Sequence, residues 1–283
     1  MTRVMVTGAA GQLGSTVTAR LSATCDVVRF TRAELDLADR AAVLETMTSC
    51  GPDVVINCAA YNDVEAAEDA AHAALTGNAL AVQALVQAAS ATRATLIHYS
   101  TDFVFDGTTD RPYVETDPCR PLNTYGLSKL LGEWFALESP GAYVLRVESL
   151  FGGRPAKSSI DKILTAIRAG QPVRVFADRT VTPSFVDDVA SATEQIINPT
   201  NPRASRPAPG VYHCVNSGVT TWLGVAEELA RLLGRQADLI PVKSTEVTLK
   251  AKRPIYCALS NDKLKDAGMA MPTWQDALAR YVT

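Results

Sequence analysis

Val4-Met5-Val6-Thr7-Gly8-Ala9-Ala10-Gly11-Gln12-Leu13-Gly14 is the stretch that decides the fold. A short apolar run passes directly into three glycines spaced G-x-x-G-x-x-G, and behind them Leu13, Val17 and Leu21 recur at four-residue steps, the stripe of a helix. Glycines allow a tight turn and let a pyrophosphate approach the backbone at the positive end of a helix. Gly8, Gly11, Gln12, Leu13 and Gly14 are therefore candidate dinucleotide contacts, although the spacing differs from the G-x-G-x-x-G of other strand-turn-helix nucleotide sites.

The same rhythm continues outward. Val27-Val28, Val54-Val55-Ile56, Leu96-Ile97-His98-Tyr99 and Tyr143-Val144-Leu145 are apolar on consecutive positions, and helical patterns separate them. Strands of that kind belong to a parallel sheet covered on both faces, so the fold class is α/β, a doubly wound Rossmann-like sheet. Asn123 reads as the cap of the helix that leads to Tyr143. After about residue 150 prolines interrupt the rhythm, and residues 198–210, with four prolines, read as an exposed connection. The expected organisation is a dinucleotide-binding domain over residues 1–150 and mainly a smaller substrate-binding lobe over 151–283, with the segment near 173–197 returning to the sheet. Trp134, Trp222 and Trp274 lie in helical patterns and are expected in the core.

Composition excludes several partners. With 27 Lys+Arg against 30 Asp+Glu the net charge is -3, which gives no electrostatic footprint for nucleic acid. No apolar run approaches a membrane span, and the apolar start is too short for a signal peptide, so a cytoplasmic protein is expected. Six scattered cysteines without a C-x-x-C pair, and three histidines, do not make a zinc site, and no metal ligand is assigned.

Two further features carry chemistry. Arg32 follows the second strand where a ribose-gripping carboxylate would favour NAD, and an arginine there suits the 2′-phosphate of NADP; Glu34 and Asp36 just downstream keep NADH open. Tyr125-Gly126-Leu127-Ser128-Lys129 places a phenol and an ammonium one helical turn apart. Reducing a ketone needs a hydride on carbon and a proton on oxygen, and a cation beside a phenol lowers its pKa. Thr101, just past the strand Leu96–Ser100, falls at the carboxyl edge of the sheet, where its hydroxyl can hold a carbonyl oxygen.

Together with Asn57-Cys58-Ala59-Ala60-Tyr61, Ser100-Thr101-Asp102-Phe103-Val104-Phe105-Asp106-Gly107 and the C-terminal Arg253-Pro254, Leu259 and Lys263-Leu264, these strings resemble the dTDP-4-dehydrorhamnose reductase family of extended short-chain dehydrogenase/reductases. The resemblance implies reduction of the C4 ketone of a nucleotide-linked 4-dehydro-6-deoxyhexose. It makes Tyr125 the proton donor, Lys129 its ribose-binding, pKa-lowering partner and Thr101 the third catalytic hydroxyl. It places Asp36 and Leu37 near the adenine, Ala59, Ala60, Tyr61 and Tyr99 along the rest of the dinucleotide, and Asp102 and Leu150 beside the sugar. Leu150 is read as standing in for a tryptophan that packs on the sugar, Phe103 for a tyrosine, and Cys257 and Ser260 for more polar or acidic residues of the C-terminal signature. These departures leave the identity of the sugar open. An epimerase or another 4-ketoreductase is one alternative; the NADP-binding regulatory subunit of methionine adenosyltransferase, which shares the fold, is another. The oligomeric state, a homodimer among the options, is left open as well.

Overall fold

Consecutive apolar positions do form the buried strands of a parallel sheet. In the computed structural model, which describes residues 1–198 and 206–283, β1 (Arg3–Thr7), α1 (Gln12–Leu21), β2 (Asp26–Phe30), α2 (Arg40–Cys50) and β3 (Val54–Asn57) open the chain. They are followed by α3 (Val64–Ala67), α4 (Ala71–Leu75), α5 (Ala81–Thr92), β4 (Thr95–Thr101), α6 (Thr124–Leu137) and β5 (Tyr143–Val147). The second half holds β6 (Leu150–Phe151), α7 (Ser159–Arg168), β7 (Val173–Phe176), β8 (Thr180–Val181), β9 (Ser184–Phe185), α8 (Val186–Ile197) and β10 (Gly210–His213). It ends with β11 (Thr220–Thr221), α9 (Trp222–Leu232), β12 (Leu239–Val242), α10 (Asp262–Asp266) and α11 (Trp274–Val282). Residues 199–205 of the expected proline-rich connection lie outside the described residues.

The central sheet has the order β2-β1-β3-β4-β5-β10, every pair parallel. Chain direction across the sheet reverses between β1 and β3, which is where open α/β sheets leave a ligand crevice at their carboxyl ends. The register brings those ends level: Thr7 lies opposite Asn57, Asn57 opposite His98, and Thr101 opposite Val147. Alternation along each strand feeds two apolar layers. Val4, Val6 and Ile56 join Leu13, Val17 and Leu21 of α1 and Val186 and Val189 of α8 on one face. Met5, Val55 and Leu96 join Val43 and Met47 of α2 and Val82 and Leu85 of α5 on the other. Each such fully buried aliphatic side chain contributes about 1.5–3 kcal/mol relative to exposure.

Three features depart from the sequence pattern. The sixth strand, β10, was not visible in it, because its four residues carry no apolar run. Within the segment 173–197, α8 packs on α1, where Arg20 Nε reaches Glu194 at 2.7 Å, whereas β7 pairs with β12 outside the central sheet. Between α4 and α5 the helix widens into a π segment, Thr76–Leu80, so that Asn78 turns inward. Its side chain holds the loop after β3 by both backbone groups of Tyr61, at 2.7 and 3.0 Å, and donates to Ser128 on α6 at 2.9 Å.

Candidate active site

The carboxyl ends of β1, β3, β4 and β5 open onto one cleft of about 980 Å³, closed from the other side by β6, α7, β7 and the C-terminal segment around Arg253 and Cys257. Its first wall is the glycine loop. Gly8 has φ +66°, and a Cβ there would meet the backbone nitrogen of Ala59 at 2.5 Å, while one on Gly14 would meet the Gly8 carbonyl at 2.3 Å. Both positions therefore require glycine. Gly11 caps α1 without a side chain, which leaves the first N–H groups of the helix to a ligand. Gln12 spends its own amide on the Gly152 carbonyl at 2.5 Å, so its backbone is what it offers the cleft.

Arg32 lies exposed beyond the end of β2. Both acidic neighbours turn back on their own loop: Glu34 accepts the Thr31 N–H and hydroxyl at 2.8 Å, and Asp36 accepts the Ala38 N–H at 3.0 Å. That leaves the arginine as the charged group offered at this edge. Leu37 is buried in the layer with Met5 and Val43. Gly8, Arg32, Asp36, Leu37 and Tyr61 are not brought into the cleft lining, whereas Gly11 to Gly14, Ala59, Ala60, Tyr99, Thr101, Asp102, Tyr125, Lys129 and Leu150 are.

The chemical centre forms where β4 meets α6. Asn123 accepts the Gly126 N–H at 2.7 Å, capping α6 so that Tyr125 falls in its first turn and Lys129 one turn later. A buried pair fixes the tilt of this helix on the sheet: Arg146 of β5 donates to both oxygens of Glu133, at 2.9 and 2.7 Å. Phe103 packs edge-on against the Tyr125 ring, with centroids 6.0 Å apart. Thr101 donates to Asp102 Oδ1 at 2.9 Å.

Lys129 Nζ donates to the Tyr99 carbonyl at 2.6 Å, and burial lowers its pKa to about 8. The Tyr125 phenol moves upward instead of downward, driven by burial and then by the Asp102 charge, with the Thr101 hydroxyl partly offsetting them. Among the described residues the lysine is held by the Tyr99 carbonyl and makes no direct bond to the phenol.

Sequence reasoning missed several residues of the cleft. Glu148, after β5, and Arg179, after β7, line it, and both are buried. Glu148, Asp102 and Cys257 each bring one ligand atom within 4.8 Å of the others. Such a set can hold a cation once all three are deprotonated, but the Arg179 guanidinium already supplies positive charge to this group. Trp222 packs on the core, as expected, and also lines the cleft; Trp274 is buried, whereas Trp134 is 58% exposed on α6. Sequence periodicity finds the helix but not which face its neighbours cover.

The family described as RmlD substrate binding domain matches residues 1–283. A dTDP-4-dehydrorhamnose reductase of Burkholderia thailandensis is 34% identical over 292 residues, covering 99% of this chain and 98% of that one. A dTDP-4-keto-6-deoxy-D-glucose reductase of Streptomyces niveus is 33% identical, covering 98% and 96%. Among solved structures, dTDP-4-dehydrorhamnose reductase from Bacillus anthracis in complex with NADP is similar at a TM-score of 0.92 and 28% identity, covering 100% of this chain and 99% of that one.

Proposed function

The chain belongs to the RmlD substrate binding domain family, and from that premise we propose that it is an NADPH-dependent oxidoreductase that reduces the C4 ketone of a nucleotide-linked 4-dehydro-6-deoxyhexose. Within that class our reading is dTDP-4-dehydro-L-rhamnose to dTDP-L-rhamnose. The observation that carries it is the convergence of Thr101, Tyr125 and Lys129 on one cleft with the uncapped end of α1.

The residues present fit the cofactor. Gln12 and Leu13 offer backbone N–H groups to a pyrophosphate, and the exposed Arg32 suits a 2′-phosphate. When bound, NADPH supplies the hydride to C4. The chain does the rest. Thr101 orients the ketone oxygen, and Tyr125 gives that oxygen its proton. Lys129, fixed on the Tyr99 carbonyl, is one turn from the phenol and holds the ribose side of the site. Asp102 and Leu150 meet the sugar in this reading, and Trp222 lines the same cleft. In this reading residues 1–150, with α8 and β10, are the dinucleotide half, and most of the remaining chain covers the sugar nucleotide.

The reading extends to a cytoplasmic homodimer. Leu127, Trp134 and Leu137, exposed along α6, support the second copy, and six unbridged cysteines support a reducing compartment. Among the described residues no helix is long and apolar enough to cross a membrane.

The test is to supply dTDP-4-dehydro-L-rhamnose and NADPH to the purified chain and identify the product by NMR. Formation of dTDP-L-rhamnose is expected. Consumption of a different 4-keto sugar alone would move the assignment to another 4-ketoreductase.

A further inference from the structure

Directly behind Thr101 the cleft wall holds two carboxyl groups that the reaction above does not use together. Asp102 comes from the turn after β4 and Glu148 from the end of β5. Cys257 comes from the C-terminal segment, and all three are buried. Their ligand atoms lie within 4.8 Å of one another. Asp102 Oδ1 accepts the Thr101 hydroxyl at 2.9 Å. Glu148 Oε2 accepts the Thr182 N–H at 2.8 Å and the Thr182 hydroxyl. Its other oxygen, Oε1, is buried and has no donor among the described residues. The charges and titratable groups facing the pair are Arg179, the Cys257 thiol, and the phenols of Tyr125 and Tyr256.

Two features of this arrangement fail if both carboxyls are ionised. Glu148 Oε1 is then a buried acceptor without a hydrogen, and two negative charges face a single guanidinium. One added proton relieves both faults, because a protonated Glu148 becomes a donor and a carboxylate oxygen of Asp102 lies within 4.8 Å of one of its own. Burial acts the same way on both, and the Asp102 charge adds to it at Glu148, raising Glu148 well above the ordinary carboxylate range and Asp102 to about 6. Two carboxyls this close titrate as a unit.

We propose that Glu148 and Asp102 hold one proton between them, and that this store reloads Tyr125 through Thr101 after each reduction. The inference rests on the reductase reading above. When the sugar O–H bond forms, the Tyr125 O–H bond breaks. The phenolate oxygen then takes the Thr101 hydrogen, the one shared proton passes from Glu148 to Asp102, and Asp102 hands that same proton to the Thr101 oxygen. No electron changes hands in these steps. The pair ends doubly charged beside Arg179, and a proton from solvent restores it when the product leaves. Glu148 is a positioning residue in this scheme, since it acts on Tyr125 only through Asp102 and Thr101.

The test has an arm without substrate and an arm with it. Infrared spectra of the wild-type protein at neutral pH are expected to show the C=O stretch of a buried carboxylic acid, lost in Glu148→Gln. No such band would overturn the shared proton, whatever the sugar turns out to be. With NADPH and dTDP-4-dehydro-L-rhamnose, Glu148→Gln is expected to show a burst, one turnover from its loaded tyrosine followed by later turnovers about tenfold or more slower than the first. Glu148→Asp, which keeps a titratable carboxyl, is expected to restore those later turnovers. First and later turnovers slowed equally, or neither slowed, would overturn the relay. Should Glu148→Gln not fold, the wild-type band and the Glu148→Asp burst decide. Absence of turnover by wild type would overturn the reductase reading, while the infrared band would still decide the proton pair.

Discussion

Lys129 Nζ is bonded to the Tyr99 carbonyl at 2.6 Å, and not to the phenol one turn before it on α6. That bond ties the helix carrying the acid to the strand carrying Thr101. It also holds a buried ammonium whose pKa is lowered to about 8 from 10.5.

The position of that pKa sets an alkaline limit. Lys129 is charged below about pH 8 and neutral above it. If its charge supports cofactor binding and the phenol, kcat/KM falls as pH rises through that point, and Lys129→Met removes the limb along with most of the activity. The linkage to stability has the opposite slope. Between the folded value near 8 and the free value of 10.5 the unfolded chain binds more protons, so this group makes stability rise with pH across that window. Paired pH profiles of turnover and of chemical denaturation, in wild type and Lys129→Met, check both signs.

Gly8→Ala places a Cβ 2.5 Å from the Ala59 nitrogen at a φ of +66°. Left-handed backbone and overpacking together cost roughly 2–4 kcal/mol, seen as a lower denaturation midpoint, and the displaced loop loses NADPH affinity. Fluorescence titration with NADPH measures the second effect separately.

Arg32 is the charged group offered beyond β2, because Glu34 and Asp36 are turned onto their own backbone. Arg32→Ala is expected to raise the KM for NADPH about tenfold, the loss of one charge-assisted contact, with NADH little affected. Equal effects on both cofactors would show that the 2′-phosphate is held elsewhere.

The Glu133–Arg146 pair is buried on both sides, with side-chain exposures of 2% and 4%. Removing one partner leaves a buried charge, so Arg146→Met is expected to cost about 3–5 kcal/mol, and the double change with Glu133→Gln to recover much of it. Urea denaturation of the single and double variants gives the comparison.

How much of this was legible in the sequence follows from distance along the chain. The glycine loop and the Tyr125–Lys129 spacing are local, and local geometry fixes what those residues do: glycines turn, and residues four apart share a helix face. The Asp102–Glu148–Cys257 group is assembled from three segments far apart in the chain, and nothing in any one segment marks it. Trp134 departs from its expected place in the core for a related reason. A helical pattern says that a face exists, but the neighbour that covers it comes from elsewhere, and for Trp134 no described residue does so. β10 escaped because Gly-Val-Tyr-His is too short and mixed to read as a strand until β5 is beside it. The upward shift of Tyr125 was hidden because it depends on burial and on Asp102, neither of which spacing reveals.

The central claim is that Tyr125 is the acid that protonates the C4 oxygen. Its most direct test is the rate of NADPH oxidation with dTDP-4-dehydro-L-rhamnose by wild type and Tyr125→Phe, alongside NADPH affinity for each. The account predicts turnover by wild type, a loss of about 10²–10⁴ in kcat for the variant, and nearly unchanged cofactor affinity. Turnover by Tyr125→Phe at close to the wild-type rate would contradict it.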